Sequence, residues 1–257
     1  DVTQKTRTPA RNRSAESAAI VSCGGPARFQ DGFALGDGAE TWARISGIVD
    51  NGALWFTNWG VGKCTGTKIF SLSGPIKNAG FVEVPLGTSL RTIVLDIGGG
   101  MRDGGKMKAV QIGGPSGNCL PLSKFNLSVD YDSPPGTGAT VRSGGIVVMG
   151  RETCMVDVAG RSLKFLQQKS CGTCAFCRRA VGPMLQILAE IVEGRGRPEQ
   201  LKRLRELAGL ETGASVCTLA RTAANPVLST LKYFRNEYEA HIQDGRCPAG
   251  VCRALVR

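Results

Sequence analysis

The chain has 257 residues, 42% of them hydrophobic, with mean hydropathy near zero; that is apolar material for one large domain or two ordinary ones, and it excludes a disordered tail. No apolar run approaches the roughly 20 residues that span a bilayer, which argues against direct membrane insertion; the longest runs, such as Gly145-Ile146-Val147-Val148-Met149, are strand length. The formal charge of +11 is concentrated late in the chain, where residues 161–257 hold 16 Lys or Arg against 8 Asp or Glu. These cations are mixed with acids and carry no aromatic stacking motif, so the pattern fits a solvated or protein-docking face and not a nucleic-acid partner.

Residues 1–39 have no clear periodicity and read as an unassigned tail, a processed end or the remnant of a preceding domain. Over Glu40–Phe56, Trp42, Ile45, Ile48 and Val49 recur at helical spacing until the Asn51-Gly52 pair, which predicts a connecting helix within residues 40–63. Strands follow at 67–74, 80–85 and 109–114, separated by glycine-containing turns. Between the second and third, residues 88–97 fit a short helix with Thr88 as N-cap. A connecting segment containing Ser133-Pro134-Pro135-Gly136 leads to a further strand at 145–149.

After about residue 160 the period becomes helical, over 183–193, again over 199–210, and in a long amphipathic segment that starts at Asn225-Pro226 and closes at Gly245. The fold class expected is therefore α+β: a β-grasp-like unit over 64–150 followed by a helical bundle over 151–257.

Ten cysteines are present, and Cys171, Cys174 and Cys177 form a C-x2-C-x2-C run with Cys217 following after 39 intervening residues, across a helical hairpin. No cationic stretch followed by an apolar segment marks a secretory signal, so a reducing compartment is expected, the cytoplasm or an organelle matrix, with a place peripheral to a membrane complex compatible with both. Three thiolates at this spacing wrap one face of a cubane, and a fourth from a distant helix closes it. Four soft ligands select a [4Fe–4S] cluster or zinc; zinc sites more often pair two CxxC knuckles, so the three-plus-one pattern favours the cluster. Arg178 and Arg179 directly after the motif would offset its negative charge. Cys23, Cys64, Cys119 and Cys154 read as buried small hydrophobes, Cys247 and Cys252 as structural or vestigial with a metal or redox role as the alternative, and the single His241 as a surface or capping residue. The loop Gly113-Gly114-Pro115-Ser116-Gly117 lacks both the P-loop ending and the GxGxxG form, and reads as a close-approach turn.

Six ordered blocks, GTKIFSLSG, VEVPLGTSL, KAVQIGGPSG, SGGIVVM, SCGTCAFCR and ASVCTLARTAANPVLSTLKYFRNEYEAHI, resemble the flavin-bearing, NADH-oxidising subunit of respiratory complex I and the related subunits of NAD(P)-linked hydrogenases and formate dehydrogenases. The resemblance implies a soluble-ligand-binding β-grasp domain, then a helical bundle with one [4Fe–4S] cluster whose matching ligands are Cys171, Cys174, Cys177 and Cys217. It also implies a subunit of an NAD(P)H:acceptor oxidoreductase, relaying electrons from reduced flavin. Its neighbours would be a thioredoxin-like [2Fe–2S] subunit and a multi-cluster subunit. The alternative is a non-catalytic assembly module with a structural cluster.

The family's GRGGAGFPTG flavin loop and acidic GEET segment do not occur in these residues, so FMN and NAD are not expected on this stretch of chain and autonomous NADH oxidation is not supported. Of the family's flavin-proximal Asn-Asn-Val-Glu-Thr, only Glu40 and Thr41 are retained, with Asp37 and Gly38 at the asparagine positions. Within the cysteine motif the usual proline is Phe176.

Overall fold

A computed structural model describes residues 39–131, 143–174, 177–210 and 218–255, and the backbone of 28–29 and 32–33. The rest of the 1–39 tail, Cys23 included, and Ser133–Gly136, Phe176 and Cys217 lie outside the described residues.

Two short strands, β1 (Arg28–Phe29) and β2 (Gly32–Phe33), pair antiparallel ahead of helix α1 (Ala39–Asn51). Gly52, at φ 85°, breaks the helix, and α2 (Ala53–Thr57) folds back so that Trp55 lies against Gly47. The helical spacing read from Trp42, Ile45 and Val49 is real, yet these side chains are exposed, as are Leu54, Trp55 and Trp59. A tight ribbon of β3 (Gly60–Val61) and β4 (Cys64–Thr65) then leads into the main sheet.

That sheet has five strands: β5 (Thr67–Ser73), β6 (Gly80–Pro85), β7 (Met107–Ile112), β8 (Asn118–Pro121) and β9 (Gly145–Gly150). Their spatial order is β6-β5-β9-β7-β8, with β5 and β9 parallel at the centre and every other pair antiparallel. Alternation decides the faces. Phe70, Leu72, Val110, Ile112, Ile146 and Val148 point to one side, where a π-helical segment over Thr92–Ile97 closes the core with Leu90, Ile93 and Val94. Ala109, Cys119 and Met149 point to the other side, against Met155 and Phe234. Strand β7 is consequently covered on both faces, although Lys108 and Gln111 interrupt its apolar sequence.

The cap of the 88–97 helix differs from expectation. The Thr88 hydroxyl donates back to the Pro85 carbonyl, and Ser89 Oγ instead accepts the Thr92 N–H at 3.1 Å. Strand β8 carries no alternation of its own and was not expected; its pairing with β7 and burial of Cys119 and Leu120 create it.

The later half is helical: α3 (Met155–Lys169), α4 (Gly182–Val192), α5 (Glu199–Gly209), α6 (Thr218–Thr222), α7 (Asn225–Tyr233) and α8 (Arg235–Gln243). Val156, Ala159, Leu163 and Leu166 of α3 meet Met184, Ile187, Leu188 and Ile191 of α4, Leu204 and Leu207 of α5, and Val227 and Leu231 of α7 in one core. The single long helix expected from Asn225 onward is two helices, because Phe234 leaves helical geometry (φ −128°, ψ 32°) to bury its ring among Met155, Ala109, Cys119 and Met149. Asn225 is not the cap either, since its side-chain amide donates to the Ser116 carbonyl at 3.2 Å.

Polar contacts hold the sheet to the helices. Gln111 of β7 donates to Ser162 Oγ of α3 at 3.1 Å, and the Cys119 N–H of β8 donates to Ser229 Oγ of α7 at 2.9 Å. Gly113 and Gly114, both at positive φ (92° and 71°), turn the chain from β7 into β8 in a loop that packs against α3 and α7, in keeping with the close-approach reading of that loop.

Candidate metal centres

The CxxCxxC motif starts one residue after α3 ends. Gly172 takes a positive φ of 71° and its N–H donates to Ser170 Oγ at 3.1 Å, so the chain reverses directly after Cys171. Cys171 is exposed, whereas Cys174 and Cys177 are half-buried and pack on the core shared by α3, α4 and α5. Hydrogen bonds from the Thr173 side chain and N–H hold the Cys171 thiol below its ordinary pKa, which favours the thiolate that a metal requires. Cys177 opens a π-helical turn, Cys177–Val181, that runs into α4, and Arg178 and Arg179 on it are exposed. Cys217 lies outside the described residues. The helix that follows it, α6, seats Ala220 in the same core that Cys174 and Cys177 touch.

Glu40 and Thr41 stand in α1. The Glu40 carboxylate accepts hydrogen bonds from Lys68, from Arg44 at 2.7 Å and from the Ile69 N–H at 2.8 Å, and so pins α1 to β5; Thr41 is exposed. Burial alone would raise the Glu40 pKa, but the hydrogen bonds from Lys68 and Ile69, together with the charges of Lys68 and Arg44, hold it below its ordinary value.

A second group of donors was not expected. Cys154, His241, Cys247 and Cys252 bring one ligand atom each to within 4.8 Å of one another. Among the described residues this is the one such group of three or more donors. His241, expected on the surface, is 1% exposed, and Cys154, Cys247 and Cys252 are likewise buried. The correction follows from the break at Phe234, which resets the helical phase so that α8 turns His241 inward. Cys154, read as a small hydrophobe, and Cys247 and Cys252, read as structural or vestigial with a metal or redox role as the alternative, become potential ligands for the same reason: the fold converges them. The only local signal was His241 six residues before the Cys247-x4-Cys252 pair; nothing near Cys154 connected it to them.

The geometry of this group is tight. His241 Nε2 lies 3.5 Å from Cys154 Sγ and 3.4 Å from Cys252 Sγ, and the two sulfurs are 3.6 Å apart. A tetrahedral zinc with Zn–S near 2.3 Å and Zn–N near 2.0 Å has edges of about 3.8 Å between sulfurs and about 3.6 Å between sulfur and nitrogen. The donors thus fit one ion and are too close for a cubane. His241 Nδ1 is 2.7 Å from the Glu237 carbonyl, which makes Nδ1 the protonated nitrogen and frees Nε2 as a ligand. Burial pushes the Cys154 thiol up to about 11 and the Cys252 thiol higher still. For Cys247 burial acts the same way, but the N–H groups of Val251, Cys252 and Ala249 outweigh it and lower the pKa. Backbone N–H groups converging on one sulfur stabilise a thiolate, the form that binds metal.

Residues 157–241 match the family described as the NADH-ubiquinone oxidoreductase-F iron-sulfur binding region. The chain carries the iron–sulfur region of that family. The matched residues contain the whole CxxCxxC motif and Cys217, while Cys154, Cys247 and Cys252 fall outside them. The chain is 45% identical over 217 residues to the HndC component of the NADP-reducing hydrogenase of Solidesulfovibrio fructosivorans, across 84% of this chain and 44% of the relative. It is 37% identical to the second F-type component of the NADH-quinone oxidoreductase of Rhizobium meliloti, across 81% of this chain and 50% of the relative. With the F component of the same enzyme from Escherichia coli it shares 35% identity, across 79% of this chain and 46% of the relative. A crystal structure of an NAD+-reducing [NiFe]-hydrogenase in the H2-reduced state aligns with TM-score 0.70 at 28% identity, over 79% of this chain and 34% of that one. The chain spans about half the length, or less, of the curated relatives it matches. Among the described residues no helix is long and apolar enough to cross a membrane.

Proposed function

We propose that this chain is an electron-transfer part of an NAD(P)H:acceptor oxidoreductase, with a [4Fe–4S] cluster held by Cys171, Cys174, Cys177 and Cys217. The observation that carries this reading is the CxxCxxC motif inside the matched iron–sulfur region, with Cys174 and Cys177 braced on the core that also receives α6. Such a cluster accepts and releases one electron at a time without making or breaking a bond to substrate. The residues of this chain supply ligation, a half-buried seat that limits solvent, and the exposed cations Arg178 and Arg179 that temper negative charge.

Reduced flavin is the proposed donor, carried by another chain or another part of the same protein, and a neighbouring cluster the proposed acceptor. The relatives are themselves components of a hydrogenase and of NADH-quinone oxidoreductases, which supports a place in a multi-subunit complex. There the neighbours would be a thioredoxin-like [2Fe–2S] subunit and a multi-cluster subunit. Exposed Trp42, Val49, Leu54 and Trp55 on α1 and α2, with Trp59 just after them, give this region the apolar surface that a partner contact needs. The order β6-β5-β9-β7-β8 with a parallel central pair supports assigning residues 64–150 to a β-grasp domain, and the shared core of α3–α7 supports assigning 151–257 to a helical bundle. We read the Cys154 group as a closed structural zinc centre beside this relay, on the strength of its donor set and spacing.

The test is anaerobic purification with iron, sulfide and flavin analysis and EPR after dithionite reduction. A reducible cubane signal that disappears in Cys217→Ser supports the relay; a chain that binds zinc and no iron rules it out.

A further inference from the structure

The second centre is framed by one buried ion pair that comes from both halves of the molecule. Glu237, on α8, is 3% exposed and touches the surroundings of two donors at once. Its Oε2 accepts the N–H of Met155, the residue after Cys154, at 3.0 Å, and its main-chain carbonyl accepts the Nδ1 proton of His241, one helical turn on. Its Oε1 is 2.6 Å from the ammonium of Lys108, which belongs to β7 of the sheet. The same ammonium donates to the carbonyl of Thr153, the residue before Cys154. Cys154 is thus gripped on both sides, through Thr153 by Lys108 and through Met155 by Glu237, while the same Glu237 orients the imidazole.

We infer that Lys108 and Glu237 are positioning residues for a zinc ion held by Cys154, His241, Cys247 and Cys252, so that retention of the ion and docking of β7 on the helical half stabilise one another. The inference rests on the zinc reading of this centre. The coupling has a simple physical origin. Cys154 is the last residue of the short link from β9 to α3, and Cys247 and Cys252 lie in the segment after α8, so an ion here ties the end of the sheet to the end of the helical half. Strand β7 enters that tie through Lys108, whose charge is also what makes a buried Glu237 tolerable. Outer partners of metal ligands typically alter affinity by roughly 10–100-fold when lost, and an equilibrium coupling between ion and sheet must act in both directions.

The experiment uses the full chain, purified with its metals. Zinc and iron are counted by mass spectrometry, and transfer of zinc to a chromogenic chelator is timed in the parent protein, Lys108→Met, Glu237→Gln and Lys108→Arg. Release should be roughly 10–100-fold faster in the first two variants and close to the parent rate in Lys108→Arg, which keeps the cation. In the parent protein, chelation of zinc should also speed amide hydrogen exchange across residues 107–112; this second measurement decides the matter if a variant does not fold. Stoichiometric zinc with parent-like release from Lys108→Met and Glu237→Gln, or exchange in β7 unmoved by chelation, overturns the coupling and leaves the zinc reading standing. Iron without zinc overturns both.

Discussion

The two cysteine groups are built in opposite ways. Cys171, Cys174 and Cys177 lie within seven consecutive residues, with Cys171 open to solvent and its thiol pKa lowered by Thr173. Cys154, His241, Cys247 and Cys252 come from three separate places in the chain, meet in the interior, and include a thiol pushed up to about 11 by burial. A motif whose spacing alone wraps a ligand can sit at the surface and exchange electrons with a neighbour. A site assembled by the fold needs the fold to exist, and in return a bound ion stabilises that fold. The first group therefore suits electron transfer and the second suits cohesion.

The largest expected contrast is in stability. Cys252→Ser should lower the unfolding free energy by several kcal/mol, because a buried closed metal centre contributes folding energy directly. Cys171→Ser should leave the unfolding midpoint of the metal-replete protein nearly unchanged and abolish the dithionite-induced EPR signal. Thermal denaturation and EPR on the two variants measure this, and equal losses of stability would break the contrast.

Thiol reactivity sharpens it next. In reduced, chelator-treated protein near pH 8, iodoacetamide should label Cys171 at least roughly 100-fold faster than Cys154, from the thiolate fraction alone before burial is counted. Peptide mass spectrometry over a time course reads the ratio. Labelling of both at similar rates would show that the interior group opens on its own.

A smaller effect concerns the brace between α1 and the sheet. The folded state holds the Glu40 carboxyl below its ordinary 4.5, so its contribution is complete above that value and disappears as pH falls through the lower folded one. Glu40→Gln should cost about 1 kcal/mol at neutral pH, partly exposed as the pair is, and the difference from the parent should vanish in acid. Denaturant midpoints at neutral and acid pH check this.

The smallest shift is expected in the potential of the cluster. Arg178→Gln or Arg179→Gln removes an exposed unit charge, worth on the order of 0.5 kcal/mol at about 8 Å in water, and should lower the midpoint by tens of mV at most. A redox titration followed by EPR would show it, and an increase in potential would overturn the role given to these arginines.

Much of the architecture was legible in local pattern. The alternation in Thr67–Ser73 and Gly80–Pro85, the apolar run of β9 and the helical period of α4 and α5 all lie where the residues put them. The misreadings share a cause. Phe234 broke a periodic segment because its ring gains more from the interface of β7, β8 and β9 with α3 than from continuing a helix, and β8 formed because β7 offered it a partner. Neither force appears in the segment's own composition.

By itself the sequence determined the CxxCxxC motif, since two-residue spacing already keeps three thiolates within seven residues of chain, and it determined the family resemblance carried by the ordered blocks around it. Only the tertiary structure decided that Cys154 meets a histidine 87 residues away, that His241 faces inward, and that Lys108 reaches across from the sheet to neutralise Glu237. The physical reason is range. Spacing within a turn is set by covalent geometry, whereas a buried donor set is set by how whole elements pack, and a single histidine at the start of a spaced cysteine pair carries no information about the distant cysteine that completes it.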